Sequence, residues 1–506
     1  MSVYKAIEHF IQCLQNPTSF TQNGDPAFST TQDARLDLFF KHFVRNGRQN
    51  DIEHSLTTSW KQYPEDTVRL ILHSRDIRGG KGEKLVSFYA MMWLRKNHPL
   101  TYLLNLPQFI HVGCYKDLLQ LSVMRKEHGQ SLLTTDEFNG SDIELNLFSE
   151  TLREDIRSYN SITEEEKLCK VSLAAKWAPS EGKHYHEEFT ELCELLTDGN
   201  RKEYRQVISK LRKHLNIIER QMSLKDWESI QFSSIPSRAH KLLRDALYKH
   251  CKERYEDYME DLKEGKEQIN YKGIQPHEIV KEYLTNIINP YTAEILEQQW
   301  NSILNELKES GNFNNSIAVS DVSGSMAGTP LLVSIALGLL CAQLSSHKQI
   351  ITFETEPRLS TLPQHATLEA LVRQIENLPW DGSTNLRGVF QLLLDHFTPE
   401  TQPKQLFIFS DMQFNCACQG KSTYEDVKIM FKKANRVLPT LIFWNLNGNI
   451  DSIPVTKKEE GVFLLSGFST QLLKMILKND ISKLDSVGMM KLAIQKYEVK
   501  IHSNEI

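Results

Sequence analysis

The chain has 506 residues, 40% hydrophobic and 24% charged, with a formal net charge of −5 at pH 7. This length predicts about two to four globular domains, and the overall charge gives no reason to expect nucleic acid. The longest apolar run, Leu331–Leu344, is shorter than the roughly 20 residues that cross a bilayer. Eight cysteines without a CxxC pair, and an N-terminus without an apolar signal core, predict a cytoplasmic protein with reduced thiols.

The first 311 residues predict an irregular array of α-helices. Leu36, Phe39, Phe40 and Phe43 recur at helical spacing, as apolar residues do in the segment that follows. Short breaks with Gly, Pro and Asn separate these runs, and strand-like alternation is nearly absent. We expect a HEAT-like arrangement of irregular repeats, because the sequence has no clean period.

Beyond about residue 312, short apolar runs alternate with helical patterns, the first helix beginning near Pro330. The strand-like runs are Ser316–Ser320, Gln349–Phe353, Gln405–Ser410, Leu441–Asn445 and Gly461–Leu465. The later helical runs are Thr367–Leu378, Asn385–Phe397, Tyr424–Val437 and Thr470–Leu477. Such alternation predicts a doubly wound, mostly parallel α/β sheet covered on both faces. This domain would span residues 312–485, followed by a tail or short helix over residues 486–506.

Side chains with hydroxyl or carboxyl oxygens follow the strands. Asp321, Ser323 and Ser325 come directly after the first strand, Thr384 begins a helix in DGSTNL, and Asp411 follows QLFIF. Ligands of open α/β sheets bind beyond the carboxyl ends of the strands, so these loops should share one edge. Oxygen-only ligands suit one divalent cation, Mg²⁺ or Mn²⁺. The alternative is a strand-to-helix turn in which Asp and Ser serve only as caps.

These three loops resemble the metal-ion-dependent adhesion site of von Willebrand A domains. The resemblance extends over most of the chain through RDIRGGKGEK, VGCYKDLL, SLAAKWAPSEG, PHEIV, SIALGLL and LIFWNL. These segments resemble a family that joins an α-helical N-terminal region to a C-terminal von Willebrand A domain. The layout is similar to that of the Ro autoantigen (TROVE) proteins.

The resemblance implies a TROVE-like domain over residues 1–311 and a von Willebrand A domain over residues 312–485. It further implies that Ser323, Ser325 and Thr384 contact the metal, and that Asp321 and Asp411 do so directly or through water. An acidic side chain of a protein partner can fill the remaining position. The chain has Gln413 where the family is expected to have Glu, and we do not expect Gln413 to be a ligand.

A glycine-containing turn between Arg75 and Lys84 is a candidate anion site. Its basic residues are Arg75, Arg78, Lys81 and Lys84. Backbone amides and a lysine could hold a phosphate there, although the segment lacks the P-loop pattern. A solvated turn between helices explains the same residues.

The segment between Arg201 and Arg254 is locally basic. It contains 14 Lys and Arg against 6 Asp and Glu, a net charge of +8. Its aromatic residues are Tyr204, Trp227, Phe232 and Tyr248. Aromatic rings beside cations such as Arg205, Arg212 and Lys213 suit single-stranded RNA. An amphipathic helix with a solvated basic face explains them equally well.

The sequence therefore favours a non-enzymatic binding protein whose α/β domain engages a protein partner through a divalent cation. The alternative is a Ro-like protein that binds structured or small RNA on a basic face of its helical domain. Metal-assisted hydrolysis is a third hypothesis, and one metal without a neighbouring general base argues against it.

Overall fold

A computed structural model describes residues 19–133, 142–161, 171–286, 288–311, 313, 315–353, 356–378, 384–416, 423–450, 452–457, 459–479 and 484–505. The chain divides into two compact units. The described residues of the first unit fall within the ranges up to Ser74, Arg78–Ser87 and Tyr271–Val499. Those of the second fall within Arg75–Ile77, Phe88–Asn270 and Lys500–Ile506. The domain boundary at residue 311 remains a prediction.

The N-terminal part of the first unit combines one small hairpin with helices. Its elements are β1 (Ser19–Phe20), β2 (Pro26–Ala27), α1 (Ala34–Asp37), a π-helix (Leu38–His42), α2 (Gln49–Trp60) and α3 (Pro64–Arg75). The four apolar residues predicted to share a helix between Leu36 and Phe43 are all buried. The hairpin is a correction to the expectation of helices alone, because strands of two residues are too short to show alternation.

The second unit is helical in the part of it that the structure describes, as the sequence predicts. Its helices are α4 (Leu85–Asn97, which begins in the first unit), α5 (Pro99–Val112), α6 (Lys116–Glu127), α7 (Ile143–Asn160), α8 (Ala174–Trp177), α9 (His186–Thr197), α10 (Arg201–His214), α11 (Ile218–Ser223), α12 (Ser237–His250) and α13 (Lys252–Lys263). Asp142 caps α7 by accepting the backbone N–H groups of Glu144 and Leu145, which stabilises the helix start. The HEAT-like repeat stays a prediction.

The remainder of the first unit alternates strands and helices. Its strands are β3 (Ser316–Asp321), β4 (Gln349–Phe353), β5 (Arg358–Thr361), β6 (Gln405–Ser410), β7 (Thr440–Asn445) and β8 (Val462–Ser466). Its helices are α14 (Pro276–Thr285), α15 (Pro290–Ser310), α16 (Thr329–Leu344), α17 (Leu368–Glu376), α18 (Leu386–His396), α19 (Thr423–Lys433), α20 (Gln471–Lys478) and α21 (Ser486–Ile494). All five predicted strands are present. The edge strand β5 was not predicted, because its four residues are half-exposed or exposed.

The strands form one mixed sheet in the order β5-β4-β3-β6-β7-β8. All neighbours pair in parallel except β4 and β5, which are antiparallel. Every residue of β3 and β8 is buried. Because successive side chains point to opposite faces, both faces of these strands must be covered. The order of winding reverses between β3 and β6, which is where an open α/β sheet offers a crevice for a ligand.

Helix α16 lies directly behind the candidate site and contacts β3, β4 and β6. It is apolar on nearly all sides and largely buried, as expected of a helix in the centre of a domain. Gly338 permits this close approach. A Cβ atom at Gly338 would lie 2.1 Å from Ser320 Oγ and 2.8 Å from Ile350 Cδ1.

The C-terminus contains the predicted short helix, α21, and hydrogen bonds hold the residues near its end. Glu505 accepts the backbone N–H groups of Leu100 and Thr101 at 2.9 and 2.8 Å. An acidic side chain at the first turn of α5 is favourable because unpaired N–H groups and the positive end of the helix dipole lie there. Within the described residues, no helix has the length and apolarity needed to cross a bilayer.

Candidate metal centre

The loop after β3 folds into a compact turn around Asp321. The Oδ1 atom of Asp321 accepts the backbone N–H of Ser323 at 3.0 Å. A short 3-10 turn, Gly324–Met326, follows. The hydroxyls of Ser323 and Ser325 lie 3.1 Å apart. The Asp-x-Ser-x-Ser spacing therefore directs a carboxyl and two hydroxyl groups to one place, and Ser325 is exposed there.

The neighbouring strand β6 supplies the second carboxyl group. Ser410 Oγ donates to Asp321 Oδ2 at 2.6 Å and accepts the backbone N–H of Met412 at 3.0 Å. The carboxyl of Asp411 accepts the Ser325 hydroxyl. Hydrogen bonds thus connect the two loops at the carboxyl ends of β3 and β6. The structure brings four of the five predicted ligands together.

Thr384 is bonded through its backbone to Asn415, which lies on the loop that carries Asp411. Asn415 donates its backbone N–H to Thr384 O at 3.0 Å, and its side-chain Oδ1 accepts the Thr384 N–H at 3.4 Å. Thr384 is buried and lies two residues before the start of α18. The preceding part of DGSTNL, residues 381–383, lies outside the described residues.

The two carboxyl groups lie in an unfavourable electrostatic environment. Burial, and then the carboxyl of Asp411, raise the pKa of Asp321 to about 6. Burial raises the pKa of Asp411 as well, and the hydroxyl of Ser325 acts in the opposite direction. The largest effects on these pKa values come from burial, from hydroxyl and backbone amide donors and, for Asp321, from the carboxyl of Asp411. A bound cation would relieve this repulsion.

The donor set fits a hard divalent cation. Carboxyl and hydroxyl oxygens are the ligands that Mg²⁺ and Mn²⁺ prefer, and Mg²⁺ retains several waters. The described residues contain no group of three or more His, Cys, Asp or Glu side chains that could hold a metal ion. That finding excludes a His- or Cys-rich centre there, but it does not bear on a cluster of two carboxyls and three hydroxyls.

Gln413 is not placed as a ligand of this cluster. Its Oε1 accepts the backbone N–H of Gln22 at 2.7 Å, and its side chain is buried. The amide oxygen is thus occupied by a contact with the N-terminal hairpin.

Two of the four residues of the candidate anion turn have internal roles. Arg75 forms a buried, bidentate pair with Asp117, with nitrogen–oxygen distances of 2.8 and 3.0 Å. In the first unit, Lys81 donates to the backbone oxygens of Phe39 and Phe43 and to the hydroxyl of Ser466. These contacts explain both positive charges without a phosphate. Arg78 and Lys84 are exposed.

The basic segment is similarly divided between structural and exposed cations. Arg205 is exposed and pairs with Glu181. Arg212 donates to the backbone oxygens of Ala175 and Ala178 at 2.8 and 2.6 Å, which ties α10 to α8. Lys213 is exposed.

The aromatic residues of this segment are only partly available for stacking. Tyr204 and Phe232 are buried in the core of the second unit. Trp227 is half-buried and stacks on His250, with ring centroids 4.2 Å apart. Tyr248 is also half-buried and donates to Glu256. Base stacking on all four aromatic rings would thus require rearrangement of the core.

Two residues of the candidate metal centre were missed in the sequence. Ser410 bonds Asp321, and its position as the last residue of a strand before an Asp was a usable signal. Asn415 holds the Thr384 backbone across 31 residues of chain. Pairing at this distance leaves no local pattern in the sequence.

Comparison with known proteins identifies the family. Residues 21–140 and 194–313 match a domain of unknown function (DUF2828), and residues 315–504 match a second one (DUF7788). "Uncharacterized protein L728" of Acanthamoeba polyphaga mimivirus is 36% identical over 493 residues, which cover 91% of this chain and 84% of the viral protein. The chain belongs to the L728 family.

The family descriptions name neither a von Willebrand A domain nor a ligand, so both remain predictions for this member of the L728 family. Among solved structures, the Ro (RSR) protein of Deinococcus radiodurans aligns over 95% of this chain and 97% of its own length. The identity is 13% and the TM-score 0.36. A score of this size does not establish a common fold.

Proposed function

We propose that the protein is a non-enzymatic binding protein that holds one Mg²⁺ or Mn²⁺ ion and uses it to engage a carboxyl group of a protein partner. The ligands would be Asp321, Ser323, Ser325, Thr384 and Asp411. The observation that supports the proposal most is the pair of buried carboxyls, Asp321 and Asp411. They lie at the carboxyl ends of β3 and β6, where the sheet reverses its winding, and the hydrogen-bond partners described for them are hydroxyl and backbone amide groups.

The balance of charged and neutral ligands favours recruitment of an anion. Asp321 and Asp411 could at most neutralise a divalent ion, while the hydroxyls of Ser323, Ser325 and Thr384 add no charge. The ion would therefore still attract a further negative group. When bound, it would supply an electrophilic contact for a partner's carboxylate. The exposed position of Ser325 is consistent with access from solvent.

The same arrangement gives little support to hydrolysis. Activation of a metal-bound water requires a group that accepts its proton. Among the described residues of the cluster, Asp321 and Asp411 are the acid–base groups, and both have the role of ligands in this proposal. We therefore retain hydrolysis only as the weakest alternative.

Calorimetric titration of metal-free protein with Mn²⁺ tests the proposal. Asp411→Asn keeps the shape and one acceptor oxygen but removes the charge, so we expect loss of Mn²⁺ binding with the fold intact. Asp321→Ala should abolish binding as well. Asp395→Asn, an exposed carboxylate on α18, is the matched control and should bind normally.

The partner is tested by affinity capture in Mg²⁺ and in chelator. A protein partner that uses the ion should be retained by the wild type and by Asp395→Asn in Mg²⁺, but not by Asp411→Asn. Equal Mn²⁺ binding by wild type and Asp411→Asn would contradict the site. Partners retained equally in chelator would contradict the cation-dependent contact.

A second candidate function is RNA binding by the second unit. Its specific support is a set of exposed lysines on α10, namely Lys202, Lys210 and Lys213. At 100° per residue these positions fall within about 80° of one another around the helix. They would contact phosphates rather than bases, and the affinity would depend strongly on salt.

A further inference from the structure

The loop that carries Asp411 depends on contacts from outside its own sequence neighbourhood. This loop, Asp411–Cys416, leaves β6 through Met412, whose φ of 64° is left-handed. Asp411 Oδ1 accepts the backbone N–H of Gln413 at 3.3 Å, which fixes the first turn. Non-glycine residues adopt a left-handed conformation at some cost, so surrounding contacts must maintain it.

Those contacts come from the N-terminal strap, which we define as Ser19–Phe28. Thr21 Oγ1 donates to the backbone oxygen of Phe414 at 2.7 Å. Asn23 Nδ2 donates to the backbone oxygen of Gln413 at 2.7 Å. Two carbonyl groups of the loop thus obtain their partners from residues that lie about 390 positions away in the chain.

Gln413 completes this contact with its side chain. Its Oε1 accepts the backbone N–H of Gln22 at 2.7 Å, and the residue is only 4% exposed. A second anchor lies beyond the loop, where Asp25 accepts the backbone N–H and the hydroxyl of Thr423 at 3.1 and 2.7 Å. The strap is itself held at its end, because Phe28 and Ile453 exchange two backbone hydrogen bonds.

The same loop also positions Thr384. Asn415 is bonded to both backbone groups of Thr384 and forms an isolated bridge with Gly24 of the strap. One clamped loop therefore presents Asp411 directly and holds Thr384 through Asn415. The remaining predicted ligands belong to the separate loop after β3.

We propose that the N-terminal strap is a positioning element of the cation site, and that Gln413 is its principal contact. The inference rests on the proposed function above. The strap fixes the Asp411–Cys416 loop so that Asp411 and Thr384 face the loop of Asp321. Its hydrogen bonds to the loop involve Gln413, Phe414 and Cys416, none of which is a candidate ligand. Partners that orient metal ligands typically change metal affinity by about 10- to 100-fold when they are removed.

Mn²⁺ affinity and amide hydrogen exchange of the full-length chain test this role. The double variant Thr21→Val/Asn23→Ala removes two bonds to the loop and leaves every ligand in place. We expect Mn²⁺ binding about 10-fold weaker and faster exchange at residues 413–416 in the metal-free protein. The control is Asn50→Ala/Thr58→Val, the same chemical changes at exposed positions of α2, which should behave as wild type.

Gln413 provides a second pair of variants in case the first unfolds. Gln413→Met keeps the size but removes the acceptor for the Gln22 N–H, so it should weaken Mn²⁺ binding by a similar factor. Gln413→Glu retains an acceptor oxygen for the Gln22 N–H, so this variant should bind Mn²⁺ about as tightly as the wild type. A general loss of stability would not produce this difference in Mn²⁺ affinity between Gln413→Met and Gln413→Glu.

The outcomes separate the two proposals. If the wild type binds Mn²⁺ and both Thr21→Val/Asn23→Ala and Gln413→Met bind it equally well, the strap has no positioning role and the cation site stands. If the folded wild type binds no Mn²⁺, the cation site is wrong and the positioning role is overturned with it.

Discussion

Asp321 and Asp411 are both buried, and the hydrogen-bond partners described for them carry no positive charge. Removing a charged group from water is costly, and buried charges in proteins are normally paired with an opposite charge or a metal. Here each carboxyl has hydroxyl or amide donors, and the second carboxyl is the neighbouring charge. Without a metal ion, two such carboxyls would repel each other and lower the stability of the fold. A bound divalent cation would be attracted by both carboxyls and would remove this repulsion.

Thr384 is the sharpest single-residue probe of that affinity. Thr384→Ala removes one neutral oxygen but leaves both carboxyls, so Mn²⁺ should still bind, about 5- to 30-fold more weakly, which corresponds to a lost contact of about 1–2 kcal/mol. Thr384→Ser keeps the hydroxyl and should bind nearly as well as wild type. Calorimetry with Mn²⁺ measures both. Unchanged affinity in Thr384→Ala would remove Thr384 from the ligand set.

Residue types and spacing drew attention to these loops because the pattern is local to each loop, and the role of the residues as metal ligands stays a prediction. Asp321, Ser323 and Ser325 lie within five residues, and a strand end fixes their direction. The same reasoning suggested an anion site that includes Arg75 and Lys81, which the structure buries among internal partners. A sequence shows that an arginine is present. It does not show whether an acidic residue 42 positions away, such as Asp117, pairs with it in the folded chain.

The close contact between α16 and the sheet sets the position of the Asp321 loop. Gly338 lies against Ser320, whose hydroxyl is bonded to the Ser334 backbone oxygen at 3.0 Å. Ser320 directly precedes Asp321 in β3. Any separation of α16 from the sheet would therefore be transmitted to the candidate ligand.

Gly338→Ala should destabilise the protein. Alanine favours a helix over glycine by about 1 kcal/mol, but its methyl group would overlap Ser320 Oγ at 2.1 Å. Such overpacking typically costs about 1–3 kcal/mol, so we expect a net loss of up to about 2 kcal/mol in urea unfolding. Gly324→Ala is the control, because a Cβ there meets no atom within 4 Å. If Gly338→Ala is more stable than the wild type, α16 can move away from Ser320 to accommodate the methyl group, and this prediction is wrong.

The elements that the sequence predicted are those with a long apolar signal. Strands β6 and β7 have continuous apolar runs, and fully buried parallel strands are typical of such runs. Strands β1, β2 and β5 are short and pair antiparallel with their neighbours, so no period identifies them. The contacts of the strap, Ser19–Phe28, could not be predicted for a different reason. Its partners lie about 390 residues away.

The charge of a segment indicates possible RNA binding only after the side chains that pair within the protein are left out of the count. The net charge of −5 conceals the basic segment between Arg201 and Arg254. In that segment, Arg201 and Arg205 both pair with Glu181, and Arg212 is bonded to backbone oxygens. Charge reversal at Arg212 would disturb packing between α8 and α10, so weaker RNA binding in such a variant would be ambiguous.

The exposed lysines of α10 give a cleaner test of RNA binding. Lys202→Glu/Lys210→Glu/Lys213→Glu reverses three charges on exposed side chains of that helix. If these lysines contact phosphates, affinity for fluorescent single-stranded oligouridine should fall. The slope of log affinity against log salt should decrease by about 2, because each lost phosphate contact to a single strand contributes about 0.7. Fluorescence anisotropy across a salt series measures both quantities.

The matched control reverses three exposed lysines of the first unit, Lys432→Glu/Lys433→Glu/Lys491→Glu. It changes the net charge by the same amount, so it reproduces any general effect of making the chain more acidic. RNA binding that depends on α10 should survive in this control with its full salt slope. Equal losses in both variants would indicate only long-range attraction. Absence of binding by the wild type at low salt would leave the cation site as the remaining proposed function, since Mn²⁺ binding in the first unit requires none of these lysines.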